Sequence, residues 1–109
     1  MHELAIAESV VATVLERTGD QHVTTVRLRV GRLSGVVPDA LDFAFELATT
    51  GTPLEHASLE IEQPTGQAHC RDCGEDFVVD DLILLCSCGS ADVEVVAGRD
   101  LSVASVEVA

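Results

Sequence analysis

All four cysteines of the chain fall in one segment, as Cys70-Arg-Asp-Cys73 and, after twelve intervening residues, Cys86-Ser-Cys88. Two thiolate pairs in short turns at this separation match a tetrahedral zinc knuckle. Zinc takes four soft ligands, and a short segment with few apolar residues needs a metal to hold it shut. The second pair is Cys-x-Cys rather than Cys-x-x-Cys. That shorter spacing makes a tighter chelate turn and leaves the fourth ligand less fixed than the first three. His69, next to Cys70, is an alternative donor. Four thiolates leave no open position on the metal, so a zinc here is expected to be structural. A disulfide framework is the rival reading. Against it, Met-His-Glu lacks the basic start of an export signal, so the chain is expected in the reducing cytoplasm, where thiolates meet metals more often than each other.

A length of 109 residues fits one domain with at most a small appended module. Phe43, Phe45 and Phe77 are its only aromatic residues, so the core has to be built from Val, Leu, Ile and Ala. The net charge is −13, with six arginines and no lysine. Such a surface repels phosphate, which argues against nucleic acid and anionic membranes as partners and favours a cation or a basic protein surface. No apolar run approaches the roughly 18–20 residues of a membrane span.

Residues 3–18 read as an amphipathic helix, with Leu4, Ala7, Val11, Val14 and Leu15 recurring at three- and four-residue steps beside Ile6 and Val10. Glu3 suits its first turn and Gly19 its end. Val23 to Val30 alternates as a half-buried strand, with Val26, Leu28 and Val30 on one face. Pro38 opens a second helix running to about Ala48, its stripe formed by Leu41, Ala44, Phe45 and Ala48 and its outer face acidic. Ala57 to Glu62 alternates again, and Pro64-Thr-Gly66 breaks it. Regular structure reopens at Gly98 with a last strand, whose alternation slips at Ala104-Ser105 and predicts a bulge.

This order predicts an α+β fold, a small three-stranded sheet covered by two helices with an inserted four-cysteine zinc module. The strand–helix–strand run favours a parallel pair. The last strand is expected to return antiparallel to the second. The divisions expected are residues 1–66 with 98–109 for the α+β domain and 67–97 for the zinc module.

Met1-His2-Glu3 is the second candidate site. His2 should block removal of the initiator methionine and leave a free amine on Met1. That amine, the imidazole and the amide nitrogens of His2 and Glu3 can close successive chelate rings in a plane. Such a geometry suits Ni(II) or Cu(II) rather than tetrahedral zinc. The first N–H groups of a helix have no intrahelical acceptor, so giving up their protons costs no helix hydrogen bond. On pattern alone, a histidine at this position reads first as a frayed, solvated residue, and the same holds for His22 and His56, which sit in predicted loops.

Taken together, Met-His-Glu-Leu-Ala-Ile-Ala-Glu-Ser, the stretch from Val30-Gly-Arg-Leu-Ser-Gly through Phe45-Glu46, Gly51-Thr-Pro-Leu-Glu-His-Ala-Ser-Leu-Glu-Ile-Glu, the cysteine pairs and Gly98-Arg-Asp-Leu-Ser-Val resemble the HypA/HybF family of hydrogenase maturation nickel chaperones. The resemblance covers essentially the full length. It implies that His2, with Met1 and Glu3, binds nickel as transferred cargo, and that Cys70, Cys73, Cys86 and Cys88 hold structural zinc. The family carries Cys-Pro-x-Cys at the second pair where this chain has Cys-Ser-Cys, a departure that bears on the zinc geometry more than on the nickel site. The implied function is non-catalytic delivery of Ni(II) to the large-subunit precursor of a nickel–iron hydrogenase. The implied partners are a nickel-handling maturation GTPase and, in some relatives, urease maturation proteins. The chain itself has no P-loop and no nucleophile–base pair. A zinc-stabilised interaction adaptor without nickel explains the cysteines and the acidic surface as well.

Overall fold

The computed structural model describes residues 2–109; Met1, one of the three expected nickel-site residues, lies outside them. The elements run in the order α1 (Glu3–Thr18), β1 (Val23–Val30), α2 (Pro38–Thr49), β2 (Ser58–Glu62), β3 (Gly66–Cys70), β4 (Asp76–Val79), β5 (Val93–Ala97) and β6 (Leu101–Val108). Two three-stranded sheets result, ordered β2-β1-β6 and β4-β3-β5. The chain forms two compact units. One comprises the chain up to Leu28, Val36–Glu62 and Ser102–Ala109, the other Arg29–Gly35 and Gln63–Leu101. The expected zinc segment 67–97 lies inside the second unit.

In the first unit, α1 runs without Gly or Pro and buries Ala7, Val10, Val11 and Val14. Gly19 ends it, donating its N–H to Leu15 O at 2.9 Å from a φ of 57°. Leu4 was expected on the inner stripe but is 48% exposed, because it sits in the first turn, ahead of the first fully buried residue. α2 opens on Pro38 and packs against α1, burying Leu41, Ala44, Phe45 and Thr49. Thr49 rather than Ala48 completes the stripe, and its hydroxyl is satisfied by Glu46 O at 3.2 Å.

Strand β1 buries Val23, Val26 and Leu28. Its Arg27 faces the other way, bonded to Glu60 at 3.0 Å and Glu107 at 3.1 Å, which ties β2 and β6 to the central strand. Val23 N–H donates to Pro53 O, and with Arg27 on Glu60 the partners ascend together, as in the parallel crossover expected. The last strand lies beside β1 and not beside β2, correcting the expectation. β2 has five residues, and only the eight-residue β1 offers the eight-residue β6 a full-length partner for its backbone groups. Ala109 N–H bonds to His22 O near one end of this antiparallel pair and Gly31 N–H to Asp100 O near the other, with equal spacing on both strands. The slip in alternation leaves Ala104 and Ser105 both exposed.

In the second unit, β3 pairs antiparallel with β4 (Ala68 opposite Phe77) and with β5 (Cys70 opposite Val93). Regular structure was expected only from Gly98, so these strands are a correction. At four or five residues each they are too short for alternation to declare them. Leu33, Ala68 and Val79 form a small buried cluster, with Phe77, Leu84, Val93 and Val95 packed on it. Backbones pass closely there: a Cβ on Gly31 would lie 2.0 Å from Gly98 O, and Gly98 itself takes a φ of 103°. Among the described residues, no helix is long and apolar enough to cross a membrane.

Candidate functional site

Cys70 is the last residue of β3, and Cys73 stands in the turn after it. That turn is closed by Gly74 N–H on Cys70 O and Cys70 N–H on Glu75 O, both at 2.9 Å, with Gly74 at a φ of 80°. Cys73 N–H points at Cys70 Sγ at 3.5 Å, the N–H···S bond that a two-residue spacer allows. Cys86 and Cys88 lie in the loop between β4 and β5, where Gly89 N–H closes a turn on Cys86 O at 2.9 Å.

The four sulfurs converge. Cys70 and Cys88 Sγ are 3.7 Å apart and Cys73 and Cys86 Sγ 3.6 Å, and one ligand atom from each of the four lies within 4.8 Å of the others. A tetrahedral zinc with Zn–S of ~2.3 Å places its sulfurs about 3.8 Å from one another, so the donor set fits the ion. Cys70 and Cys86 are buried, at 0% and 3% exposure, while Cys73 and Cys88 form the exposed edge. The Cys73 N–H, helped by that of Asp72, draws the Cys70 thiol down to about 7. At Cys73 the Glu75 N–H pulls downward, but the neighbouring thiols prevail and push it up to about 12. Cys88 also rises: the Ser90 N–H lowers it, and Cys86 and desolvation outweigh that. One thiol is thus drawn toward ionisation while two of its neighbours resist it.

His69 does not join the cluster. Its Nδ1 meets Asp76 Oδ1 at 2.6 Å across the β3–β4 pair. Among the described residues, the four cysteines are the one group of three or more donors placed to share an ion.

At the other candidate site, His2 is the exposed N-cap of α1, with φ −91° and ψ 75°. Its carbonyl accepts the Ile6 N–H at 3.1 Å, while its imidazole makes no capping bond. Glu3 is held by a contact that spacing could not reveal: its Oε2 accepts the N–H of Val37, the N-cap of α2, at 3.2 Å. That bond, with smaller help from its own amide and from His2, holds the Glu3 carboxyl below the usual range. The carboxylate is thus engaged with the start of α2. His22 and His56 stay in the loops where they were predicted, His56 at a φ of 67°.

Residues 1–108 match the family described as hydrogenase/urease nickel incorporation, metallochaperone, hypA. The chain belongs to the HypA family. It is 43% identical over 109 residues to a hydrogenase maturation factor HypA of Geobacter metallireducens, covering 99% of both chains. To that of Nostoc sp. it is 39% identical over 108 residues, covering 99% of this chain and 96% of the relative. The solution structure of the Ni metallochaperone HypA from Helicobacter pylori shares the fold, with a TM-score of 0.69 at 24% identity over 99% of this chain and 97% of that one. Hydrogenase maturation and nickel handling are therefore this family's business, and the α+β architecture with a four-cysteine group is the one the sequence led us to expect.

Proposed function

We propose that this chain binds Ni(II) at Met1, His2 and Glu3 and passes it on during assembly of a nickel–iron hydrogenase, with Cys70, Cys73, Cys86 and Cys88 holding a structural zinc. The observation that carries the nickel reading is His2 at the start of α1, exposed and with its imidazole uncommitted to capping. Beside it lie amide groups that have no intrahelical acceptor. A planar set of amine, amide and imidazole nitrogens takes Ni(II) and suits a cargo ion, because each donor can be reclaimed by a proton and the ion released. Zinc in a four-thiolate site would supply structure alone, since no position remains open for chemistry.

In this reading the chain is an accessory protein of the cytoplasm rather than an enzyme. It meets a nickel-handling maturation GTPase and the hydrogenase large-subunit precursor, with urease maturation proteins as further candidates. The acidic surface, net charge −13, favours basic protein partners and disfavours nucleic acid or anionic membrane.

Equilibrium dialysis of untagged protein tests the proposal. The native chain should take up one Ni(II) beyond its zinc. His2→Ala, and a chain carrying one extra residue ahead of Met1, should lose that uptake while keeping zinc. Nickel affinity unchanged in the extended chain would place the site elsewhere, and retention of zinc alone by the native chain would favour the adaptor.

A further inference from the structure

The two cysteine arms are built differently. A two-residue spacer lets Cys73 N–H reach back to Cys70 Sγ at 3.5 Å, so the first arm fixes its own sulfurs. The second arm lacks one residue. The N–H three positions after Cys86 belongs to Gly89, and it is spent on Cys86 O at 2.9 Å. Within the Cys86-Ser-Cys88 turn itself no such N–H is left to fix Cys88, whose sulfur takes the N–H of Ser90 instead.

The residues just beyond the turn supply that restraint. Ser90 O accepts the Cys86 N–H at 2.9 Å, Ser90 Oγ accepts the Asp92 N–H at 3.0 Å, and the Ser90 hydroxyl donates to Asp72 Oδ2, between the cysteines of the first arm. Two weaker links run the same way. Ser87 Oγ donates to Glu75 Oε2 at 3.4 Å, and Arg71 Nη1 reaches Asp92 Oδ1 at 3.0 Å. Each joins a residue of the first arm to one in or just after the second.

We infer that Ser90, anchored on Asp72, is the positioning residue for the short arm, and that this cross-arm bond takes the place of the spacer residue the arm lacks. The inference rests on the reading of the four cysteines as a metal site. Outer-shell bonds of this kind orient ligands, and their loss typically weakens metal binding by about 10–100-fold.

The test uses the full chain loaded with Co(II), whose thiolate bands report four-sulfur ligation, and with Zn(II) in competition against a chelator. Ser90→Ala should weaken both ions about tenfold or more. Ser90→Thr, which keeps the hydroxyl, should restore most of the loss. Asp72→Ala should match Ser90→Ala, and the double variant should be no worse than either alone. Insertion of one residue between Ser87 and Cys88 in the Ser90→Ala background should recover affinity. Amide protection in β3 and β5 of the Zn(II)-loaded chain reports that the cysteine unit of each variant is folded, and Asp72→Asn, which keeps an acceptor oxygen, gives a milder second probe should Ser90→Ala not fold. Wild-type affinity in Ser90→Ala, or losses that add in the double variant, would overturn the inference. A native chain that binds neither ion would instead overturn the metal-site reading beneath it.

Discussion

The unit built on α1 and α2 closes over aliphatic side chains drawn from several elements, among them Val14, Val23, Val26, Leu28, Leu41 and Leu54, all at most 1% exposed. The unit that carries the cysteines centres on Leu33, Ala68 and Val79, and two of its own buried residues are Cys70 and Cys86. It leaves Val78, Leu82, Ile83, Leu85 and Val96 more than half exposed. Apolar burial of ~25 cal/mol per Å² can close the first unit. The second buries fewer side chains against the entropy of ordering its loops, and in the metal-site reading proposed above a bound ion would offset the rest. In that reading one chain combines two routes to a fixed structure.

The largest expected effect comes from removing the ion. Stripping the metal with a chelator, or replacing Cys70 by Ser, should abolish hydrogen-exchange protection in β3, β4 and β5 while α1 and α2 keep theirs. Uniform loss across both units, or none in either, would break the comparison.

Within the α1/α2 unit, burial and not residue type should govern cost. Phe45 is 3% exposed and Phe43, two positions away on the same helix, is 64% exposed. Phe45→Ala should destabilise by about 3–5 kcal/mol. Phe43→Ala should stay within about 0.5 kcal/mol. Chemical denaturation followed by a helical signal decides between them, and equal costs would mean that the packing described for α2 is wrong.

The same contrast explains what could be read from the residues beforehand. α1 was legible to the residue because a long apolar stripe and a terminal Gly19 agree with each other, and α2 because Pro38 marks its start. β1 was legible because eight residues alternate. The second sheet was not, since its strands of four or five residues are too short for a periodic pattern. The four cysteines announced their site through spacing alone. His2 did not: on pattern it is an ordinary chain end, and only the full-length resemblance raised it. The partners of Glu3 and Ser90, at Val37 and Asp72, are set by tertiary approach and carry no signal in the linear chain.

Acid should separate the units once more, with the smallest effect falling at Glu3. Protons compete with metal for thiolates, so the cysteine unit should loosen first as pH falls. The Glu3 carboxyl is held below its ordinary value of 4.5, chiefly by the Val37 N–H. A depressed folded-state pKa stabilises above the unfolded value, and that contribution is lost as pH falls through the folded one. The tie between the starts of α1 and α2 should therefore survive the pH at which metal is lost and fail only below the ordinary carboxylate range. Val37 amide exchange reports it: protection should step down only on acidification below the ordinary carboxylate range in the native chain. In Glu3→Gln, which keeps an acceptor oxygen but nothing to titrate, the same amide should show no step. Identical pH profiles in the two proteins would mean that the carboxylate does not hold Val37, and that the starts of the two helices are joined by packing alone.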